Sequence, residues 1–366
     1  MSKARAKKLP VAKKITEAAK DIHQRILKSK TPTMVTPIRS LSNVQYQPKT
    51  GYFEMLGRNK MRTLTVSTVK TFAQALKMMA LSKELIAAND MATKREAYYI
   101  SKNWGKAGFS EQSESDTIID DVEAMFGVNR EQLKFTPEEK GGDIAGSLIV
   151  IDTDAKGRKI KIDCTKFGSG AYSIPTEVEN LQFQSRANFV LAIETAGMFQ
   201  RLVKYDYWKK AKCILVNMGG VPTRACRRFI RRLTDQLKIP VYAFVDGDPY
   251  GYFNIYRTLK VGSGNAAHMN KYFCVPSVRF LGVTPQDIIS FKLPTHPLKD
   301  VDIKRARDGL RNDPFVKHHK PWQKAINQML KMGVRVEQQA FAKYGLDFVV
   351  SKYLPLKLKD PSKFLP

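Results

Sequence analysis

Three acidic residues stand where apolar runs break. Val241-Tyr242-Ala243-Phe244-Val245 gives way to Asp246-Gly247-Asp248-Pro249-Tyr250-Gly251, and the run of residues 188–193 ends in Glu194, with Gly197 close behind. An unbroken apolar run suits a strand covered on both faces, and the glycines and proline force a turn at its end. Carboxylates at the carboxyl ends of strands occupy the edge where open α/β sheets place ligands. If the two strands are parallel neighbours, Glu194, Asp246 and Asp248 form an acidic cluster suited to one or two Mg²⁺ ions, because hard cations take carboxylate oxygens. Taken singly, each would be a surface acid or a cap, but the joint pattern points to a metal. An EF-hand loop does not fit: counted from Asp246, its closing position holds Arg257, not the glutamate required there.

A second constellation is Thr93-Lys94-Arg95-Glu96-Ala97-Tyr98-Tyr99-Ile100-Ser101-Lys102. On a helix, Ala97, Ile100 and Trp104 form a buried stripe flanked by both tyrosines, and Arg95 lies one turn before Tyr99 on the same face. A guanidinium there could hold a phosphate, or stabilise a phenolate whose ordinary pKa is about 10, as a tyrosine nucleophile requires. Tyr98 has Lys94 and Lys102 as its corresponding neighbours, so spacing favours Tyr99 without excluding Tyr98. A tyrosine pair on a helix more commonly belongs to a core or an interface.

The elements that must position these residues follow from periodicity. Residues 13–28 repeat Ile15, Ala18, Ala19, Ile22 and Ile26 at helical spacing, which predicts an amphipathic helix whose apolar stripe needs a partner. Residues 29–48 lack periodicity and read as an extended linker. Helices are expected over 68–88, 93–104 and 116–126, a compact cluster with the short connections of helix-turn-helix DNA binders. Residues 147–151 and 159–164 alternate as a hairpin that reads as the wing of a winged-helix domain. The acidic stretch 110–139 reads as a surface turned away from DNA. After a linker at 167–175, strands at 188–193, 213–216 and 241–245 alternate with helices at 198–208 and 223–237, the pattern of a parallel sheet wrapped by helices. The fold class is therefore mixed α+β and α/β, with a basic extension over 1–64, a winged-helix domain over 65–175 and a metal-binding α/β domain over 176–366.

The chain has 366 residues and a formal net charge of +28, which makes nucleic acid the leading partner. Residues 1–62 alone carry fifteen Lys or Arg against three acidic residues. A solvated or DNA-tethering arm is the more frequent meaning of such runs than a nuclear signal. No apolar stretch reaches the length of a membrane span, and no signal peptide is evident. Cys164, Cys213, Cys226 and Cys274 show no CxxC pairing and lie in or beside apolar segments, as reduced core residues of a cytosolic protein do. His318 and His319 are adjacent and lack the helical spacing of a zinc pair, so a solvated or DNA-facing pair is expected. Arg224, Arg227, Arg228, Arg231 and Arg232 fall near helical spacing beside apolar Cys226, Phe229 and Ile230, which predicts a DNA or subunit contact. Gly219-Gly220-Val221-Pro222-Thr223-Arg224 lacks the lysine and spacing of a phosphate-binding P-loop, so the chain carries no recognisable ATP site of that kind.

Arg95-Glu96-Ala97-Tyr98-Tyr99, Glu194-Thr195-Ala196-Gly197-Met198-Phe199 and Val245-Asp246-Gly247-Asp248-Pro249-Tyr250-Gly251 resemble the A-subunit of the type IIB DNA topoisomerase, topoisomerase VI, of archaeal type. The resemblance runs from about Thr65 to the carboxyl terminus, including Tyr353-Leu354-Pro355, and extends to the eukaryotic meiotic double-strand-break transesterase. It implies a winged-helix domain bearing the nucleophilic tyrosine, followed by a Toprim domain that binds Mg²⁺. By that resemblance Tyr99 is the nucleophile, Arg95 its phosphate-binding or activating partner, and Glu194, Asp246 and Asp248 the metal ligands. It further implies a homodimer in which one copy's tyrosine works with the partner's metal site. A separate ATPase, the B-subunit, would complete an A2B2 assembly acting on double-stranded DNA in a prokaryotic cytoplasm, at the nucleoid. The helix expected over 13–28 would suit the ATPase contact. Two other readings are a dedicated break-forming transesterase and a DNA-binding architectural protein without chemistry.

Overall fold

The computed structural model describes residues 10–137, 141–154 and 156–366; the Lys-rich start, residues 1–9, and Ala155 in the turn of the expected hairpin lie outside them. The chain divides into two units, one comprising Met1–Asn43, Met55–Glu138 and Gly264–Met269, the other Val44–Glu54, Glu139–Ser263 and Asn270–Pro366.

The first unit is built on helices Val11–Leu27, Val69–Ala88, Lys94–Ile100 and Gln112–Phe126. Asn89 and Gly127 end the second and fourth of these in the left-handed conformation, which satisfies the last carbonyls of each helix. Ile15 and Ile22 of the first helix are buried in one cluster with Phe72, Met78, Met79 and Ile119. The apolar stripe expected to await a partner is thus partly covered within the unit, through Ile15 and Ile22, while Ala19, Ile26 and Leu27 are exposed.

The stretch expected as a linker over 29–48 also differs. Thr33–Pro37 forms a strand antiparallel to Asn59–Thr63. Asp121, buried on the fourth helix, draws Arg39 (2.9 Å), Lys60 (3.3 Å) and Arg62 (3.2 Å) onto itself. This part of the acidic stretch is therefore not a solvent-facing surface. It holds the strand Asn59–Thr63 and the residue Arg39 in place through three cationic partners.

The second unit contains a six-stranded sheet in the order Tyr172–Ser173, Asp143–Gly146, Cys213–Asn217, Phe189–Ile193, Val241–Phe244, Arg279–Gly282. The last four are mutually parallel and the first two run antiparallel to their neighbours. Every residue of Phe189–Ile193, Cys213–Asn217 and Val241–Phe244 is buried, as an unbroken apolar run covered on both faces requires. Helices Ala196–Lys204 and Arg224–Leu237 follow two of these strands, started by Thr195 and Thr223, whose hydroxyls accept from the amides of Met198 (3.4 Å) and Cys226 (3.2 Å).

The expected hairpin forms between Ile149–Thr153 and Lys159–Asp163, but it does not serve as a wing of the first unit. Its first strand takes Gln182–Gln184 as a further partner, making a three-stranded sheet in the second unit. The expected linker at 167–175 supplies the edge strand Tyr172–Ser173, so the boundary drawn at 175/176 falls inside one unit. Among the described residues no helix is long and apolar enough to cross a membrane.

Candidate active site

Glu194 and Asp246 follow adjacent parallel strands whose register pairs Ile193 with Phe244. The condition set by the sequence is therefore met. The amide of Asp246 donates to Glu194 Oε2 (2.8 Å), that of Gln338 to Asp246 Oδ1 (2.8 Å), and that of Gly251 to Asp248 Oδ1 (2.6 Å). Each carboxylate has one oxygen fixed by a main-chain amide and the other without a hydrogen bond among the described residues. All six oxygens are hard donors, and that arrangement fits a hard divalent cation. The three are neighbours rather than a finished cage, since among the described residues no three His, Cys, Asp or Glu side chains are gathered to hold an ion.

Burial, and then the charge of Asp246, pushes the Glu194 carboxyl up to about 8. Burial, with Asp248 and Glu337 adding repulsion, pushes Asp246 up to about 7, and burial likewise raises Asp248. A cluster that resists full ionisation has a deficit of positive charge, which a cation would fill.

The segment after Gly333 braces this loop, and the sequence reading missed it. Gly247 and Val336 exchange two main-chain hydrogen bonds (2.8 and 3.1 Å), an antiparallel bridge that sets Arg335 opposite Asp248 and Glu337 opposite Asp246. Gln338, fully buried, donates through its side chain to Phe244 O (2.6 Å) and accepts from the Thr195 hydroxyl (3.2 Å), tying both acidic strand ends together. A Cβ on Gly247 would lie 2.6 Å from Val336 Cγ1 and 2.8 Å from Val283 O, so this close approach requires glycine. The only hint in the sequence is the short alternation Val334-Arg335-Val336-Glu337. The Tyr353-Leu354-Pro355 motif lies behind the strands, with the Tyr353 hydroxyl donating to Asp287 (3.0 Å) and its ring 5.7 Å from that of Phe244.

In the first unit the tyrosine helix Lys94–Ile100 opens with a reciprocal cap: Thr93 Oγ1 accepts from the Glu96 amide (3.1 Å) and Glu96 from the Thr93 amide (2.6 Å). Beyond Ile100 the chain tightens into 3₁₀ turns over Ser101–Ala107, so the helix is shorter than the expected 93–104. The structure separates the two tyrosines. Tyr98 donates its hydroxyl to Ser110 O (3.1 Å) and lies under the Lys102 ammonium (4.3 Å to the ring centre). Tyr99 is 57% exposed, and among the described residues its hydroxyl makes no hydrogen bond. Arg95 is exposed and, among the described residues, has neither hydrogen bond nor ion pair.

On the helix where a DNA or subunit contact is expected at Arg224, Arg227, Arg228 and Arg231, the structure shows arginines engaged within their own unit. Arg228 binds Glu179 through two nitrogens (2.5 and 2.8 Å) and Tyr272 O through a third (3.1 Å); Arg231 reaches Asp235 and Cys274 O, and Arg232 reaches Val178 O and Leu181 O. Arg227 is buried, and Arg224 stands 5.8 Å from the Phe273 ring centre. These donors cap carbonyls of neighbouring loops, because a guanidinium on a half-buried helix face gains more from unpaired main-chain oxygens than from water. His318 and His319 pack around Tyr46, at 5.0 and 5.1 Å between ring centres, and His319 Nδ1 lies 2.9 Å from Phe315 O. All four cysteines are free and buried, and burial pushes the Cys164, Cys226 and Cys274 thiols up to about 12.

Comparison with known families agrees with this layout. Residues 189–358 match the Toprim domain shared by the topoisomerase 6 A-subunit and Spo11. Residues 138–187 match an all-beta domain in the DNA topoisomerase VI alpha subunit, and residues 70–135 match type IIB DNA topoisomerase. The all-beta match contains the hairpin first read as a wing. The A-subunit of type 2 DNA topoisomerase 6 from Methanocaldococcus jannaschii is 53% identical over 353 residues, covering 96% of this chain and 95% of that protein. Those of Methanothermobacter thermautotrophicus and Archaeoglobus fulgidus are 38% and 36% identical, covering 91% and 93% of this chain and 93% and 94% of theirs. A Toprim sheet with its acidic edge, a tyrosine helix in a separate unit, and relatives matched along nearly their whole length leave one assignment: the chain belongs to the topoisomerase VI A-subunit family, the DNA-cleaving subunits of type IIB DNA topoisomerases.

Proposed function

We propose that Tyr99 is the nucleophile of a reversible DNA transesterification. Its phenolic oxygen attacks a backbone phosphorus. An oxygen–phosphorus bond to the tyrosine forms, the bond to the 3′-oxygen breaks, and that oxygen leaves as a 3′-hydroxyl while the 5′ end stays on the protein. Religation is the reverse attack. The single observation that carries this assignment is the contrast between the two tyrosines: the Tyr98 hydroxyl is engaged by Ser110 O, whereas that of Tyr99 is exposed and unengaged. Arg95, one helical turn earlier, stabilises the phenolate or holds the phosphate with a guanidinium that no carboxylate neutralises.

Glu194, Asp246 and Asp248 are the residues that would hold Mg²⁺, and the fit rests on their free oxygens and on the burial, with mutual repulsion added, that raises their proton affinity. Bound there, the ion would supply Lewis-acid stabilisation of charge on the transferring phosphate. The amides of Asp246, Gln338 and Gly251 keep the three carboxylates oriented, and Gln338 holds the strand ends at fixed separation.

Two copies of the chain cut the two strands of a duplex in this reading, each tyrosine working with the partner's carboxylates. A separate ATPase subunit drives passage of a second duplex, giving an A2B2 enzyme that relaxes or decatenates DNA at the nucleoid in the cytoplasm. The test is to combine the chain with an ATPase partner, supercoiled plasmid, Mg²⁺ and ATP. Relaxed plasmid and protein-linked 5′ ends are expected, and Tyr99→Phe should yield none. Linked ends without relaxation would point to a dedicated break-forming transesterase. Equal yields from Tyr99→Phe would overturn the nucleophile.

A further inference from the structure

We propose that Arg335 is a built-in counter-cation of the carboxylate site, competing with a divalent metal ion for Asp248 and so setting how tightly that ion binds. The inference rests on the reading of Glu194, Asp246 and Asp248 as metal ligands.

The placement of Arg335 is imposed by the backbone. The bridge between Gly247 and Val336 fixes it across from Asp248, on a short strand, Val334–Arg335, whose other edge pairs with His296–Pro297. Its guanidinium stands 4.0 Å from Asp248 Oδ2, 3.8 Å from Asp302 Oδ2 and 3.8 Å from Glu337 Oε1. It is ringed by carboxylates and fastened to none. Among the described residues it makes no hydrogen bond, and Nε is buried without a partner. Arg228 and Arg257 of the same unit differ in kind, each tied by hydrogen bonds to a carboxylate and to a main-chain carbonyl.

A guanidinium built for structure takes bidentate, short contacts. One that stands in a ring of acids at 3.8–4.0 Å supplies charge without taking coordination positions. The Asp248 oxygen nearest to it is the one that no amide holds. A divalent ion arriving at that oxygen meets a like charge within a few ångströms, beside an Asp248 side chain that is 16% exposed, so the field is screened less than in open water. Arg335 thus balances the site when no ion is bound and weakens the ion when one is. Asp302 keeps Arg305 as a partner (3.6 Å), so removing the Arg335 charge leaves that carboxylate paired.

The experiment is direct Mn²⁺ binding to the full chain by electron paramagnetic resonance, without DNA or the ATPase partner, with melting temperature measured alongside. Arg335→Met keeps the stem and removes the charge; it should bind Mn²⁺ about tenfold more tightly than the unaltered chain. Arg335→Lys restores the charge and should return affinity to within about threefold of the starting value. Unchanged or weaker binding by Arg335→Met overturns the inference, as does Arg335→Lys binding as tightly as Arg335→Met. Should Arg335→Met fail to fold, Arg335→Gln replaces it with the same expectation. Asp248→Asn identifies the site: if it leaves Mn²⁺ binding intact, the metal reading itself fails, a result distinct from an Arg335 series that does not move an Asp248-dependent affinity.

Discussion

The amide of Asp246 points at the carboxylate of Glu194 and donates to it at 2.8 Å, although the two residues lie 52 apart in sequence. One acid is therefore oriented by the backbone of the next, and neither can be moved independently.

Burial of this acidic pair, with their mutual repulsion added, predicts a pH-dependent stability. Glu194 and Asp246 hold protons more tightly in the fold than in the unfolded chain, with values raised to about 8 and about 7. The folded state thus binds more protons than the unfolded one between the ordinary carboxylate range and about pH 8, and stability falls as pH rises through that window. The metal-free protein should melt at a lower temperature at about pH 8.5 than at about pH 5.5, and Glu194→Gln should flatten the trend. A melting temperature that climbs with pH, unaltered by Glu194→Gln, would be the opposite result.

The tyrosine pair predicts an asymmetry. Tyr98→Phe loses one hydrogen bond to Ser110 O, at a stability cost of about 1 kcal/mol, and should retain protein-linked 5′ ends. Tyr99→Phe should lose them with stability unchanged. Gel assays of covalent complexes together with melting curves decide the matter, and loss of linkage in Tyr98→Phe alone would exchange the two roles.

At Gly247 the expectation is steric. A methyl group there meets Val336 Cγ1 at 2.6 Å and the Val283 carbonyl at 2.8 Å, so the acidic loop must part from its brace. Gly247→Ala should lower stability by about 1–3 kcal/mol and reduce Mn²⁺ affinity, readable by calorimetry on the same sample. Wild-type affinity in this variant would show that the Val336 bridge does not position the carboxylates.

The arginine helix gives a prediction opposite to the one its sequence invites. Arg232→Ala removes charged hydrogen bonds to Val178 O and Leu181 O and should destabilise the fold by about 1.5–3 kcal/mol. Its effect on DNA binding should be small, with the salt dependence of affinity unchanged. A shallower salt slope in a variant of native stability would return Arg232 to the DNA surface.

These cases show what could be read from the chain. The strand ends carrying Glu194 and Asp246 were legible because apolar runs broken by glycine are local signals, and a parallel sheet brings their ends together. Tyr99 could be preferred but not separated from Tyr98, because the deciding group, Ser110 O, belongs to a later loop. Arg335 was illegible: its position depends on a bridge between Gly247 and Val336, and no local pattern announces it. The buried Asp121 was misread for the same reason, since Arg39, Lys60 and Arg62 reach it from far earlier in the chain, at separations of 82, 61 and 59 residues. Charge misled most where it was densest. Counting arginines on the Arg224–Leu237 helix could not reveal carbonyls waiting in the flanking loops.

Each unit is assembled from separate stretches of chain: Val44–Glu54 joins the Toprim-bearing unit, and Gly264–Met269 joins the tyrosine-bearing one. No single cut of the polypeptide can therefore release either as an intact fragment. During synthesis the tyrosine unit also stays incomplete until Met269 has emerged, by which time both acidic strand ends have already been made. A half-made chain thus cannot present a finished tyrosine unit to DNA ahead of the carboxylates.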